Sequence, residues 1–224
     1  MNEPPSYPRI PHLVAGRGTR DDSVLGLNEA DALLTRPVLV EEKLDGANVV
    51  VWLHDGQVEC ALRSGADAQD RGRQLGPLRA WLAERADRFR VLLDEQALYA
   101  EWLLVAHGVR YDALPAYLVG LDLWSPRSGF AAPDARSEML NRAGLVAPPD
   151  LHRGTLDGID RIEGLLGASR AGSELMEGVV VRSLDGREPR IAKLLRAGFS
   201  PAPDAAWRRG RPRNLLRERE LSWH

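Results

Sequence analysis

Lys43 lies between two apolar runs, in Val38-Leu39-Val40-Glu41-Glu42-Lys43-Leu44-Asp45-Gly46-Ala47-Asn48-Val49-Val50-Val51. A lysine amine is a poor nucleophile while protonated. It becomes a strong one where partial burial or neighbouring cations ease the loss of its proton. Flanking strands would hold such an amine in a pocket rather than in bulk water. Gly46 allows a tight turn and the approach of a large ligand. Asp45 can orient the amine or a ribose hydroxyl. The plain alternative is a surface hairpin whose lysine makes a salt bridge.

Four later segments change that balance. Arg63, in Leu62-Arg63-Ser64-Gly65, stands at a strand exit where it could hold a phosphate. Glu101 is embedded in Leu98-Tyr99-Ala100-Glu101-Trp102-Leu103-Leu104. Glu177 directly precedes Gly178-Val179-Val180-Val181-Arg182, and Lys193 is embedded in Arg190-Ile191-Ala192-Lys193-Leu194-Leu195-Arg196. Alternation along a half-exposed strand could turn any one of these charges to solvent. Burying charge is costly unless it is paired or used. Two acids and two lysines, each set in strand-like apolar sequence, point to one shared polar site.

The elements that must position these residues are mostly strands. Pro37 to Glu41, Asn48 to Leu53 and Val58 to Arg63 read as strands, the last two joined through the Asp55-Gly56 hairpin signal. Ala97 to Val105, Tyr117 to Trp124, Gly178 to Arg182 and Arg190 to Leu194 read likewise. Helical spacing marks Leu75 to Phe89 through Leu78, Trp81, Leu82 and Phe89. Shorter helices are expected over Asn28 to Leu34, Pro133 to Ala143 and Asp157 to Leu166, with Gly144 stopping the second of these. Gly65 to Arg73 reads as a loop, and Trp81, Trp102 and Trp124 as core. The strand-rich order, without regular βαβ alternation, gives an α+β fold.

In their order these segments resemble the motifs of the covalent nucleotidyltransferases, the family of ATP-dependent polynucleotide ligases and RNA capping enzymes. Lys43-Leu44-Asp45-Gly46 is similar to the first motif, Glu101 to the glutamate of the third, Glu177 to Arg182 to the fourth, and Lys193 to the fifth. Glu42 before the lysine and Asn48 after the glycine most resemble the RNA ligase 2-like branch. So does the opening Tyr7-Pro8-Arg9-Ile10-Pro11-His12-Leu13. Two positions depart from the pattern. Leu121 stands where a base-stacking aromatic is usual, and Lys193 is followed by Arg196 rather than by a second lysine.

The resemblance implies largely antiparallel sheets with flanking helices, the nucleotide lying in the cleft between sheets. It implies a nucleotidyltransferase domain over residues 1–199 and a basic tail over 200–224, with no separate OB domain. It further implies ATP with Mg2+ or Mn2+, and RNA ends bearing a 5′-phosphate and a 3′-hydroxyl, in a nicked duplex, an RNA–DNA hybrid or a single strand. Lys43 would be the nucleophile, with Lys193 beside it and Asp45 in support. Glu42, Asn48, Arg63, Glu101, Leu121 and Lys193 would contact the nucleotide, and Glu177 would face the metal. A minimal DNA ligase, a capping guanylyltransferase, an adenylyltransferase subunit that needs a partner, and a non-catalytic nucleotide- or RNA-binding module with a degenerate site stay open.

Bulk properties agree with an enzyme of this kind without selecting it. Among 224 residues, 44% are hydrophobic, enough for a substantial core. The net charge of −2 does not announce a nucleic-acid binder, so any such contact must come from a local patch. Trp207 to Arg219 is one candidate patch; it also reads as a solvated terminal helix. Cys60 is the single cysteine, which excludes an internal disulfide and a Cys-based zinc site and favours a reducing, cytoplasmic setting. The five histidines show no metal-ligand spacing, and no apolar run is long enough to span a bilayer.

Overall fold

Strand alternation builds two antiparallel sheets, and in each of them one face is apolar and the other carries charge. The computed structural model describes residues 3–16, 23–63, 68–188, 190–200 and 211–218, the side chains of 68–74 excepted. The chain divides into two compact units. One comprises Met1–Tyr7, Gly46–Val105 and Pro115–Ala147, and the other Pro8–Asp45, Ala106–Leu114 and Pro148–His224.

In the first unit β2 (Ala47–His54), β3 (Gln57–Leu62), β4 (Ala97–Trp102), β5 (Leu118–Ser125) and β6 (Gly129–Phe130) form a five-stranded sheet in the order β3-β2-β4-β5-β6. All its pairings are antiparallel. Val49 and Val51 of β2 and Leu98, Ala100 and Trp102 of β4 face one way. They pack with Leu78, Trp81 and Leu82 of α2 (Ala68–Ala83), Phe89 and Leu92 of α3 (Ala86–Leu92) and Leu140 of α4 (Pro133–Arg142). The edge-on Trp81–Phe89 contact has ring centroids 5.9 Å apart and helps hold α2 against α3.

In the second unit β1 (Val38–Lys43), β7 (Asp150–Gly154), β8 (Gly178–Ser183) and β9 (Ile191–Leu195) form a four-stranded antiparallel sheet ordered β7-β1-β8-β9. Val38, Val40, Val179, Val181, Ala192 and Leu194 make its apolar face. They are closed by Leu33 and Leu34 of α1 (Leu27–Leu34) and Ile162 of α5 (Ile159–Glu163).

The α+β expectation therefore holds, and the corrections are local. The helix expected from Leu75 begins at Ala68, inside the stretch read as a loop, and breaks before Phe89 into α2 and α3. Arg85 stands at the break. Its Nη1 donates to the Trp81 carbonyl at 3.1 Å, satisfying a helix-end acceptor, and its guanidinium stacks 4.4 Å from the Trp81 ring centroid. Trp124 is half-buried rather than core. β7 escaped the sequence reading because Asp150-Leu151-His152-Arg153-Gly154, an edge strand paired only with β1, carries little apolar alternation.

Residues 211–218 are irregular, with isolated bridges and a bend, and not helical. Leu114 N–H donates to the Leu215 carbonyl at 2.9 Å and Arg217 N–H to the Leu114 carbonyl at 2.8 Å, so this part of the tail zips onto residues 106–114. The rest of the basic run, 201–210 and 219–224, and the loop read at 17–22, lie outside the described residues.

Candidate active site

The register of β1 decides which of its side chains can meet. Val38 and Val40 face the apolar core, so Leu39, Glu41 and Lys43 face the other way. Directly opposite residues in an antiparallel pair share a face. Lys43 lies opposite Gly178, Glu41 opposite Val180, and Val180 opposite Lys193. Glu41, Lys43, Arg182 and Lys193 are thereby gathered on one sheet face.

Lys43 Nζ donates to Glu177 Oε2 at 2.8 Å, with the lysine side chain 25% exposed and the glutamate 8%. The pair forms where β1 ends and β8 begins, across 134 residues of sequence. Gly178 must be glycine for a steric reason: a Cβ there would lie 2.3 Å from the Leu194 carbonyl oxygen and 2.7 Å from Leu195 Cα. The bare backbone lets β9 close against β8 just where Glu177 emerges. Arg196 follows β9 at this point. Its backbone N–H donates to the Glu177 carbonyl at 3.0 Å, and its Nε to the Met176 carbonyl at 2.8 Å.

Next to these two groups on β1, Glu41 accepts from Arg182 Nε at 2.6 Å, with side-chain exposures of 1% and 5%. Glu42 points to the other face. Its carboxylate accepts from Ser169 Oγ at 2.5 Å and from Arg170 N–H at 2.7 Å. Burial raises the Glu42 pKa, and those two bonds and the Arg170 charge oppose the rise.

Asp45 is fixed from several sides. Its Oδ2 accepts from Gly108 N–H at 2.5 Å and Val109 N–H at 2.9 Å, while its own N–H donates to Tyr111 Oη at 2.8 Å. Burial drives the Tyr111 hydroxyl well above its ordinary pKa, so it stays a neutral phenol.

His107 precedes this turn. Burial, opposed by Asp45 and reinforced by Arg211 and Lys43, lowers its pKa to about 4. Unfolding then takes up a proton between the ordinary value of 6.5 and about 4, because the unfolded imidazole is protonated there and the folded one is not. Stability should fall as pH drops through that window. His107→Gln should flatten that part of the curve when urea midpoints are compared from pH 7 to pH 4.

The other unit holds the remaining predicted residues. Asn48 lies opposite Glu101 on paired strands. Glu101 Oε1 accepts from Gly46 N–H at 3.0 Å and Oε2 from Asn48 Nδ2 at 3.3 Å. Asn48 Oδ1 is buried without a hydrogen-bond partner among the described residues. Gly46 is demanded by close approach: a Cβ would lie 2.7 Å from the Trp102 carbonyl oxygen and 2.7 Å from Leu103 Cδ2. Arg63 is exposed at the end of β3, its N–H on the Asn48 carbonyl at 3.0 Å. Leu121 is half-buried and is the extra residue of a bulge, since Gly120 pairs with Ala100 and Asp122 with Tyr99.

In one unit the predicted residues thus include the bonded Lys43–Glu177 pair, Lys193 on the same sheet face as Lys43, Glu42 on the opposite face and Asp45 in the turn that follows; the other unit holds the Glu101–Asn48 pair with Arg63 and Leu121. Sequence reasoning missed Tyr111, Ser169, His107 and Asn214, none of which lies in a periodic run. Among the described residues no group of three or more His, Cys, Asp and Glu side chains makes a ready-made metal site. No described helix is long and apolar enough to cross a membrane.

The family model for RNA ligase matches residues 36–195, well over half of the sequence, and the chain belongs to that family. Solved structures carry the same fold. A mutant Naegleria gruberi RNA ligase with ATP and Mn superposes with a TM-score of 0.53, at 16% identity, over 86% of this chain and 61% of that one. The Naegleria gruberi RNA ligase with PPi gives 0.52 at 16% identity over the same shares. An apo mutant gives 0.50 at 15% identity over 74% of this chain and 50% of that one, so the chain spans about half that protein's length. Comparison with curated proteins gave no match.

Proposed function

We propose that this chain is an ATP-dependent RNA ligase that works through a lysyl-AMP intermediate, in the RNA ligase 2-like manner, and serves RNA repair in the cytoplasm. The observation that carries this reading is the Lys43–Glu177 pair, 2.8 Å apart and largely withdrawn from solvent at the junction of two strands. The neutral amine of Lys43 attacks the α-phosphorus of ATP; an N–P bond forms, the bond to pyrophosphate breaks, and the amine sheds a proton. A terminal 5′-phosphate oxygen then attacks the AMP phosphorus; an O–P bond forms, the N–P bond breaks and the lysine nitrogen regains a proton. A 3′-hydroxyl attacks the activated end and expels AMP.

Each step is a phosphoryl transfer, so positioning and charge neutralisation supply most of the catalysis. Glu177 fixes the direction of Nζ. Lys193, on the same sheet face, favours loss of the amine proton and offsets phosphate charge. Glu101 and Arg63 are assigned to the ribose and phosphates, Leu121 to cover the base, and Glu42 to the adenine side through the loop it grips at Ser169 and Arg170.

A carboxylate that shares an ion with substrate phosphates suits Mg2+ or Mn2+, which retain water and take substrate oxygens as ligands. Glu177 would hold the ion, with Asp45 of the same unit behind its waters, and Asn48 is assigned a supporting role. When bound, the ion supplies electrostatic stabilisation of the phosphates.

The test is intact-protein mass after incubation with ATP and Mg2+ or Mn2+. One added AMP is the expected result. Its absence in both metals, on folded protein shown not to carry AMP already, would reject the covalent mechanism.

A further inference from the structure

Residues 110–114 run between two other segments of the same unit. On one side Ala113 N–H donates to the Ala171 carbonyl at 3.0 Å; on the other Leu114 N–H donates to the Leu215 carbonyl at 2.9 Å. Leu215 N–H returns a bond to the Tyr111 carbonyl at 2.9 Å. Asn214, with no exposed surface, accepts from Tyr111 N–H through Oδ1 at 2.9 Å. Tyr111, equally buried, is held at its backbone by Asn214, and its hydroxyl accepts the Asp45 N–H at 2.8 Å. Asp45 lies two residues beyond Lys43, and its carboxylate is clasped by the Gly108 and Val109 amides.

We propose that Asn214 and Tyr111 are positioning residues that set the backbone after Lys43, so that nucleotidyl transfer to the lysine depends on the segment at residues 211–217. The segment acts as a template: Asn214 fixes Tyr111, and Tyr111 fixes the turn from which Lys43 is presented. Reactions that use Lys43 as nucleophile need this alignment. Sealing of an RNA end that already carries AMP does not, because there the attacking group is the 3′-hydroxyl. The inference rests on the ligase reading above.

The decisive variant is Tyr111→Phe, which keeps the ring and deletes only the acceptor for Asp45 N–H. Tyr99→Phe is its control. Tyr99 is also fully buried, and its hydroxyl donates to the Pro5 carbonyl at 2.6 Å in the other unit. The measurements are the single-turnover rate of AMP attachment, its dependence on ATP concentration, the rate of joining pre-adenylylated RNA, and the thermal midpoint.

Tyr111→Phe should slow AMP attachment about 10- to 100-fold at saturating ATP, the scale expected when a reacting group is misplaced by a fraction of an ångström. The ATP concentration for half-maximal rate and the joining of pre-adenylylated RNA should change less than about 3-fold, well inside that effect. Tyr99→Phe should match the wild type in all rates. Asn214→Leu should reproduce the Tyr111→Phe pattern. An unchanged attachment rate in Tyr111→Phe would overturn the proposal. So would a parallel fall of attachment, joining and thermal midpoint, which would mark a purely structural role. A wild type that takes up no AMP would instead defeat the ligase reading itself.

Discussion

Lys43→Ala should take up no AMP from ATP, a loss of at least about 10⁴-fold against wild type, because no other group can replace a deleted covalent nucleophile. Intact mass spectrometry of the two proteins side by side checks it. The fold should survive: the lysine is the last residue of β1, a quarter exposed, and Leu39 and Val40 before it keep their burial. Glu177 loses only its bond to Lys43 Nζ, so on the proposed mechanism ATP binding with metal should persist. An adduct of normal size on Lys43→Ala would move the nucleophile elsewhere and dismantle the assignment of the whole sheet face.

Arg182→Met should cost about 3–5 kcal/mol of stability, because it removes the guanidinium bonded to a buried carboxylate. Glu41 and Arg182 are held 2.6 Å apart at 1% and 5% exposure, too deep for water to take over. The urea midpoint measures the loss. Adding Glu41→Met to Arg182→Met should recover much of it, since the buried negative charge is then gone and two apolar side chains of similar length fill the space. If the double variant were as unstable as the single one, lost packing rather than the buried charge would be the cause. The pair neighbours Lys43 along β1, and the single variant should also lower the rate of AMP attachment.

Much of this arrangement was legible in the sequence for one reason. Lys43, Glu101, Glu177 and Lys193 are charges inside apolar strand-like runs, and burial makes such charges conspicuous. The hairpin at Asp55-Gly56 was legible because few sequences accept its backbone, and Asp55 and Gly56 do adopt positive φ angles of 48° and 73°.

What stayed hidden depends on backbone partners. Asp45 is held by two amide groups, and amides have no residue signature. Tyr111 and Asn214 meet across 103 residues, and neither lies in a periodic segment. Gly46 invited a reading in terms of turning, whereas β4 simply leaves it no room. The loop expected through Arg73 failed because Gly72, Gly76 and Pro77 mask a helix that is held by the packing of Leu75, Leu78, Trp81 and Leu82.

The pairing of Lys43 with Glu177 also bears on the making of the protein. Translation proceeds at about 5–20 residues per second, so the lysine leaves the ribosome on the order of ten seconds before its glutamate partner exists. β1 meanwhile has neither of its neighbours in the four-stranded sheet, since β7 and β8 both come more than a hundred residues later. A nascent or prematurely ended chain carries the nucleophile without the surroundings that arm it. On the proposed mechanism such a chain would not charge itself from ATP before Glu177 and β8 have been made.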